Sequence, residues 1–345
     1  MSDVAHRPGE TSLPPLAIAN PAARSGRARG EIESIVTQLQ ERIGPVDLAL
    51  TEHSGQATAL AARAVAERRG LVISVGGDGV LSEVVDGLLA SGRAPDDLPV
   101  LGLVAAGTGD DFGRSLGIAA EREAYLAAIA DGRERLVDVG RASFVGNDGR
   151  TVERCFVNVL SAGIGGLVDR YTAAMPAAVP GRVAYGAATL AAIAACRRRR
   201  ILCRATLGDG SAFERVLDTH AVVIANGHTF GGGMRVAPAA RIDDGLLDVI
   251  LIETRTKLTM LRYFFSIYRG EHLTAPGVSA FACTRVELGP ADAPPAPRSR
   301  PARPAGDDAA PARRRDFFPL DVDGDALDDL PLDVEVVPAR LRVLA

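Results

Sequence analysis

From residue 13 onward the chain alternates between two hydrophobic rhythms. "LPPLAIANPAARSG" (13–26) is an apolar run followed by a turn of small residues, and "RGEIESIVTQLQERI" (29–43) carries its apolar residues at helical spacing. "VDLALTEH" (46–53) predicts a strand and "GQATALAARAVAERRG" (55–70) an Ala-rich amphipathic helix. "LVISV" (71–75) predicts the next strand, "VLSEVVDGLLASG" (80–92) the next helix, and "LPVLGLVAAGTGDDFGRSLGI" (98–118) supplies strand, glycine turn and helix in one piece. Strands alternating with helices predict a doubly wound, parallel α/β sheet. Ligands of such sheets sit at the carboxyl ends of the strands, in the turns that lead into helices. Three glycine-bearing turns fall there, at 20–26, 76–79 and 107–111.

The rhythm changes near residue 137. "RLVDVGRASF", "RCFVNVLSAGIGG", "HAVVIANG", "LLDVILIE" and "RVELG" are short β-type runs separated by turn residues, which predicts a β-rich second domain. The domains are expected at 13–136 and 137–345. Residues 289–315 are a Pro/Ala/Arg segment of low complexity, expected as a disordered insert because it has too little apolar surface to order itself. "FFPLDVDGDAL" and "LDVEVVPARLRVLA" then resume strand-like patterns, and the last of them is able to return to the first domain.

Composition narrows the chemistry. The 345 residues are 47% hydrophobic and 24% charged, ordinary values for a soluble globular chain. The net charge of −4 argues against a nucleic-acid partner. No apolar run is long enough to predict a membrane span, and the polar, Pro-rich start has no signal-peptide core, so a cytoplasmic protein is expected. Cys155, Cys196, Cys203 and Cys283 lack metal-site spacing and read as free thiols. Lys257 is the only lysine and no Gly-rich P-loop precedes it. Phosphate chemistry would therefore rest on backbone N–H groups, metal ions and arginines.

The turns are candidates for that chemistry. Gly76-Gly77-Asp78-Gly79 offers close backbone approach, positive φ and a helix N-terminus suited to anions. Asp78 suits either a phosphate-bridging metal or a plain helix cap. "AAGTGDDFGR" (105–114) adds Gly107, Thr108, Gly109, Asp110, Asp111 and Arg114, and "NPAARSG" adds Asn20, Arg24, Ser25 and Gly26. "NGHTFGGGMRVAPAARIDDGLLDV" (226–249) has three successive glycines, suited to a ligand or a tight backbone crossing. Its Asp243, Asp244 and Asp248 suit Mg²⁺ or an acidic turn. "DVDGDAL" (321–327) reads by itself as a hairpin around Asp-Gly.

In their order, "NPAARSG", "VGGDGVLSEVVDGLL", "AAGTGDDFGRSLGI", "NVLSAGIGG", "ANGHTFGGGMRVAPAARIDDGLLDV" and "VDGDAL" resemble the diacylglycerol kinase catalytic family, which also includes bacterial lipid kinases and the sphingosine and ceramide kinases. The resemblance implies an α/β nucleotide-binding domain, a C-terminal β-sandwich domain, and transfer of a phosphoryl group from ATP, with Mg²⁺, to a lipid hydroxyl, diacylglycerol being the leading acceptor. It implies that Asn20, Gly76, Gly77, Asp78 and Gly79 contact the nucleotide and that Gly107, Thr108 and Asp111 belong to the interdomain site. It implies a metal-binding turn at Asp243, Asp244 and the carbonyl of Leu246, and a general base at Asp325, with Asp78 the alternative base. Three positions depart from the family: Val80 where Thr is common, Asp110 where Asn is usual, and Asp325 where Glu is usual. The shorter Asp325 draws the carboxylate back by about one bond, and a misplacement of about 1 Å can cost on the order of a hundredfold.

A lipid acceptor implies peripheral attachment to the inner membrane face. "RRRR" (197–200), and Arg313–Arg315 followed by Phe317-Phe318, are the candidate contacts, the former also readable as a solvated helix end. A homodimer is a further expectation. The competing readings are a NAD kinase, which shares the Gly-Gly-Asp-Gly turn, and a nucleotide- or lipid-binding protein without catalysis.

Overall fold

The structure is a computed structural model that describes residues 13–21, 28–106, 109–146, 149–176, 179, 181–254, 256–291, 318–327 and 329–345. The first half follows the alternating rhythm: β1 (Leu16–Ala19), α1 (Ala28–Ile43), β2 (Asp47–Leu50), α2 (Gln56–Ala66), β3 (Leu71–Gly76), α3 (Asp78–Leu89), β4 (Val100–Ala105), α4 (Asp111–Leu116) and α5 (Arg122–Asp131). The four strands are parallel in the order β2-β1-β3-β4, with Leu16 opposite Asp47 and Val72, and Leu71 opposite Val100. β1 is buried along its whole length, and its unbroken apolar run is what a strand covered on both faces requires.

The second half is less purely β than its sequence suggests. It contains β5 (Glu134–Val145), β6 (Thr151–Phe156), β7 (Val159–Gly163), α6 (Ile164–Ala173), α7 (Gly181–Ala195), β8 (Arg199–Leu207), β9 (Ala212–Thr219), β10 (Ala221–Ala225), β11 (Leu247–Ile252), α8 (Lys257–Ile267), β12 (Val278–Pro290), β13 (Leu320–Val322), β14 (Asp325–Ala326) and β15 (Leu332–Leu344). Its core gathers Leu160, Ile224, Val249, Val286 and Val334 from five different strands.

β15 joins the halves. It runs antiparallel to β5 from Leu332 opposite Phe144 to Leu344 opposite Glu134, and antiparallel to β12 at Leu332 and Leu288. Its far end lies parallel to β4, with Val343 opposite Leu101. Side chains add two clasps. Asp86 of α3 accepts the Cys155 N–H at 2.8 Å and pairs with Arg154 of β6. Asp138 of β5 accepts Gly245 N–H at 2.6 Å and Ala339 N–H at 2.7 Å.

Several expectations change here. Gly289 and Pro290 belong to β12, so the expected insert starts later than residue 289; residues 292–317 lie outside the described residues. Of the arginines at 197–200, Arg197 and Arg198 follow α7, Arg199 and Arg200 begin β8, and Arg198 pairs with Asp218 at 2.5 Å. Phe318 is buried in the second core and is closed to a membrane, while Phe317 and Arg313–Arg315 lie outside the described residues. The four thiols are free, with Cys196, Cys203 and Cys283 buried. No helix among the described residues is long and apolar enough to cross a membrane.

Candidate active site

The parallel strands β3 and β4 end side by side, Gly76 opposite Ala105, and their following turns deliver three aspartates to one crevice. Asp78 opens α3 and its Oδ1 accepts the Asp111 N–H at 3.1 Å. Burial and the charge of Asp110 both push the Asp78 carboxyl above its usual range, against the pull of that N–H. Gly109 must be glycine here, because a Cβ would stand 2.1 Å from Asp78 Oδ2. Asp110 caps α4 in the left-handed region (φ 57°) and accepts a hydrogen bond from the Tyr125 hydroxyl through Oδ1. Its Oδ2 is buried and has no partner among the described residues. Burial raises the Asp110 carboxyl too, more than Tyr125 and Arg114 lower it.

The Gly76–Gly79 turn differs from the expected anion nest. None of its three glycines adopts positive φ. Gly77 is extended (φ −102°, ψ −173°), and a Cβ on Gly79 would meet nothing within 4 Å. The turn is thus open, with the α3 N-terminus exposed to whatever occupies the crevice.

A true nest lies across the interdomain boundary. Gly231, Gly232 and Gly233 all have positive φ, at 59°, 80° and 104°. Two of their N–H groups grip Asp111: Gly232 donates to Oδ2 and Gly233 to Oδ1, each at 2.8 Å. Arg114 completes the grip at 3.2 Å and also donates to the Gly109 carbonyl. Asp111 is pushed up to about 6, first by burial and then by the charge of Asp78. Its oxygens accept from Gly232, Gly233 and Arg114, so it clamps the two halves of the chain together at the expected interdomain site. Thr229 reinforces the clamp by donating to the Asp111 carbonyl at 3.1 Å. Asn158 donates to the Thr229 carbonyl at 2.6 Å, and Ser115 donates to Asn158 Oδ1 at 3.3 Å.

The "DVDGDAL" segment forms the expected hairpin, β13–β14, whose turn is Asp323 (φ 48°) and Gly324 (φ 91°). It packs on β7, with Val322 opposite Leu160. Asp323 is the residue that turns inward. Its carboxylate accepts Val157 N–H at 3.1 Å and Val159 N–H at 2.8 Å, and it is pushed up to about 7, chiefly by burial, with Asp78 adding to the effect. Asp321 is raised well above the usual range, first by its burial and then by the charge of, and a shared hydrogen bond with, Asp169 of α6. Tyr185 of α7 stands between these groups: its hydroxyl is 2.5 Å from where a Gly231 Cβ would be, and burial together with Asp169 and Asp321 raises its phenol. The backbone of Asp325 is placed in β14 opposite Val322; its side chain is outside the described residues.

Asn20 is half-buried just beyond β1. Gly107, Thr108, Arg24, Ser25 and Gly26 lie outside the described residues. The turn at 243–246 is separate from the crevice. Asp243 pairs with Arg135 at 2.8 Å and with Arg241 at 3.4 Å, which hold its carboxyl below its usual range. Asp244 accepts the Leu246 N–H at 3.1 Å, and Asp248 is pushed up to about 6 by burial and by Asp244. No cluster of three His, Cys, Asp or Glu side chains suited to a metal occurs among the described residues.

A cavity of about 390 Å³ lies elsewhere, among Ile164, Leu167, Cys196 and His220, while the crevice between Gly76, Asp78 and Asp110 holds only about 20 Å³. The strand ends, the open helix terminus and the part-buried Asp78 and Asp110 carboxylates meet in the crevice, which makes it the candidate site. Asp323, Asp321, Asp169 and Tyr185 were missed by sequence reasoning. The acids at 321 and 323 stood inside a quoted motif, but only the fold shows that alternate residues of the hairpin face the interior.

Residues 14–142 match the diacylglycerol kinase catalytic domain, and residues 158–345 match the YegS C-terminal NAD kinase beta sandwich-like domain. The chain is 29% identical over 329 residues to a diacylglycerol kinase of Mycobacterium tuberculosis (strain CDC 1551 / Oshkosh), covering 95% of this chain and 94% of that one. It is 33% identical over 207 residues to a "Probable lipid kinase YegS-like" of Stenotrophomonas maltophilia (strain K279a), covering 60% and 64%. A crystal structure of a diacylglycerol kinase from Bacillus anthracis str. Sterne superposes with a TM-score of 0.64 at 19% identity, covering 97% of this chain and 98% of that one, which shows the common fold. The chain belongs to the lipid kinase family that joins a diacylglycerol kinase catalytic domain to a YegS-type β-sandwich. Membership in a kinase family implies ATP as phosphoryl donor.

Proposed function

We propose that the protein transfers the γ-phosphoryl group of ATP to a lipid hydroxyl, diacylglycerol being the first acceptor to try. The observation that carries this reading is the convergence of Asp78 and Asp110 beside an open helix N-terminus at the ends of β3 and β4. Both carboxyls are held above their usual range by burial, so each gains from a positive charge placed against it. The unpartnered Asp110 Oδ2 is an acceptor waiting for such a partner. Two carboxylates with phosphate oxygens and waters suit Mg²⁺, which is seldom held by an all-protein cage. Bound there, Mg²⁺ would neutralise charge on the triphosphate.

The chain's own residues supply position and a base. The α3 N-terminus faces the phosphates. Asp325, on strand β14, would accept the proton of the attacking hydroxyl, Asp78 being the alternative base. The hydroxyl oxygen forms its bond to the γ-phosphorus as the bond to the bridging oxygen breaks, and ADP leaves. The Asp243–Asp244–Leu246 turn, tied down by Arg135 and Arg241, would take a cation only as structural support. The relatives named diacylglycerol kinase and YegS-like lipid kinase support the acceptor class.

The test is purified protein with γ-labelled ATP, Mg²⁺ and mixed-lipid vesicles. Label in the lipid extract is expected, lost in Asp325→Asn. Bound ATP with no labelled lipid would overturn the reading, and label in NAD would replace it.

A further inference from the structure

A helix lying on a soluble protein normally turns polar residues outward. α7 does the reverse. Its buried side includes Ala184, Ala188 and Ala192, and its exposed positions among the described side chains are Val183, Ala187, Leu190, Ala191, Ala194 and Ala195, without a charge or hydroxyl among them. Val183 is 60% exposed and Leu190 53%. α8 packs beside it through Ile193, Cys196, Met260, Leu261 and Phe264, and its own outward row is Leu258, Arg262, Phe265 and Arg269. Leu258 is 61% exposed and Phe265 60%. Phe264 stacks edge-on against both Phe265 and Tyr268, with ring centroids 5.6 and 5.8 Å apart. Four of the ten large apolar side chains most exposed on the described surface thus share two neighbouring helices, and Tyr268 makes a fifth.

We propose that the outward faces of α7 and α8 dock on an anionic lipid surface, a partner that rests on the lipid kinase reading. Charge decides the occupant. Neither helix contains an acidic residue, and Lys257, Arg262 and Arg269 fringe the apolar stripe, Arg269 beside Glu271. Aliphatic and aromatic side chains fringed by Lys and Arg are the composition of an interfacial helix. A second copy fits poorly, since a two-fold contact would set the same cations against one another. The face also has the right place. Tyr185 projects from the cleft side of α7 to Gly231, beside the Asp111 clamp, and its phenol lies in the field of Tyr268. Beyond the C-terminal end of α7, the 390 Å³ cavity carries Arg197 and Arg199 on its wall, chemistry that suits an anionic headgroup.

The experiment is flotation of the full chain with vesicles rich in phosphatidylglycerol or of phosphatidylcholine alone. Leu190→Ser with Phe265→Ser should weaken partitioning to anionic vesicles by about tenfold. Arg262→Gln should weaken it by about fivefold on anionic vesicles and leave zwitterionic vesicles unaffected. Leu48→Ser, at an exposed leucine on β2 away from the two helices, is the control and should float like wild type, and ATP binding should be unchanged in all. Transfer to lipid in vesicles should fall with flotation, while transfer to a monomeric short-chain acceptor should persist. Unaltered flotation of the double variant overturns the proposal, as does a wild-type dimer that the double variant dissociates. Wild-type transfer to neither acceptor would overturn the lipid kinase reading instead, with flotation still deciding the docking face.

Discussion

Gly76–Gly79 and Gly231–Gly233 are alike on paper and opposite in the molecule. The first is a strand-to-helix turn with no positive φ, open space at Gly79, and a helix terminus without a side-chain cap. The second is a run of three left-handed glycines whose N–H groups already hold an anion, the Asp111 carboxylate supplied by the other domain. One turn awaits a ligand; the other has consumed an internal one to lock two domains together. A glycine-rich stretch therefore announces that backbone will approach something closely, without announcing what. The identity of the partner is a tertiary fact.

The contrast can be broken from either side. Asp78→Ala should leave folding near wild type and reduce phosphoryl transfer by about 10²–10³-fold, read by steady-state kinetics. Asp111→Ala should do the reverse in kind, destabilising the protein by about 1–2 kcal/mol in denaturant unfolding, because two part-buried N–H groups and Arg114 lose their acceptor. Gly109→Ala forces Asp78 aside and should cost on the order of a hundredfold in rate with a small change in stability. Gly232→Ala, at φ 80°, should cost about 1–2 kcal/mol of stability and little ATP affinity. The smallest effect is on pH. Asp323 and Asp111 titrate near 7 and 6 in the folded chain, above the usual carboxyl value, so the folded state binds more protons. Their contribution makes stability fall as pH rises from about 4 to about 7 and level off above, by about 1 kcal/mol between pH 6 and 7 for Asp323. Asp323→Asn should flatten that part of the slope.

The first half was legible because its strands are buried on both faces and its helices on one, so each element writes its own period. The Asp323 hairpin was legible because Asp-Gly is a local turn signal. The inward role of Asp323 was not, since its partners at 157 and 159 are brought to it by β7. The Asp111 clamp spans more than a hundred residues of sequence, and no local pattern encodes it. α7 escaped notice for a different reason: alanines fill both its buried and its exposed faces, so it has almost no amphipathic contrast to read.

The placement of β15 governs how the molecule comes into being. β4 ends at Ala105, but the strand that lies along its free side begins at Leu332. More than two hundred residues separate them, so on the ribosome the nucleotide-binding sheet waits roughly ten to forty-five seconds with one hydrophobic edge unmatched. The two domains seen in the finished fold are therefore not successive products of synthesis. The first is sealed only when the second is nearly complete, and a nascent chain halted between them offers an aggregation-prone strand edge to its neighbours or to a chaperone.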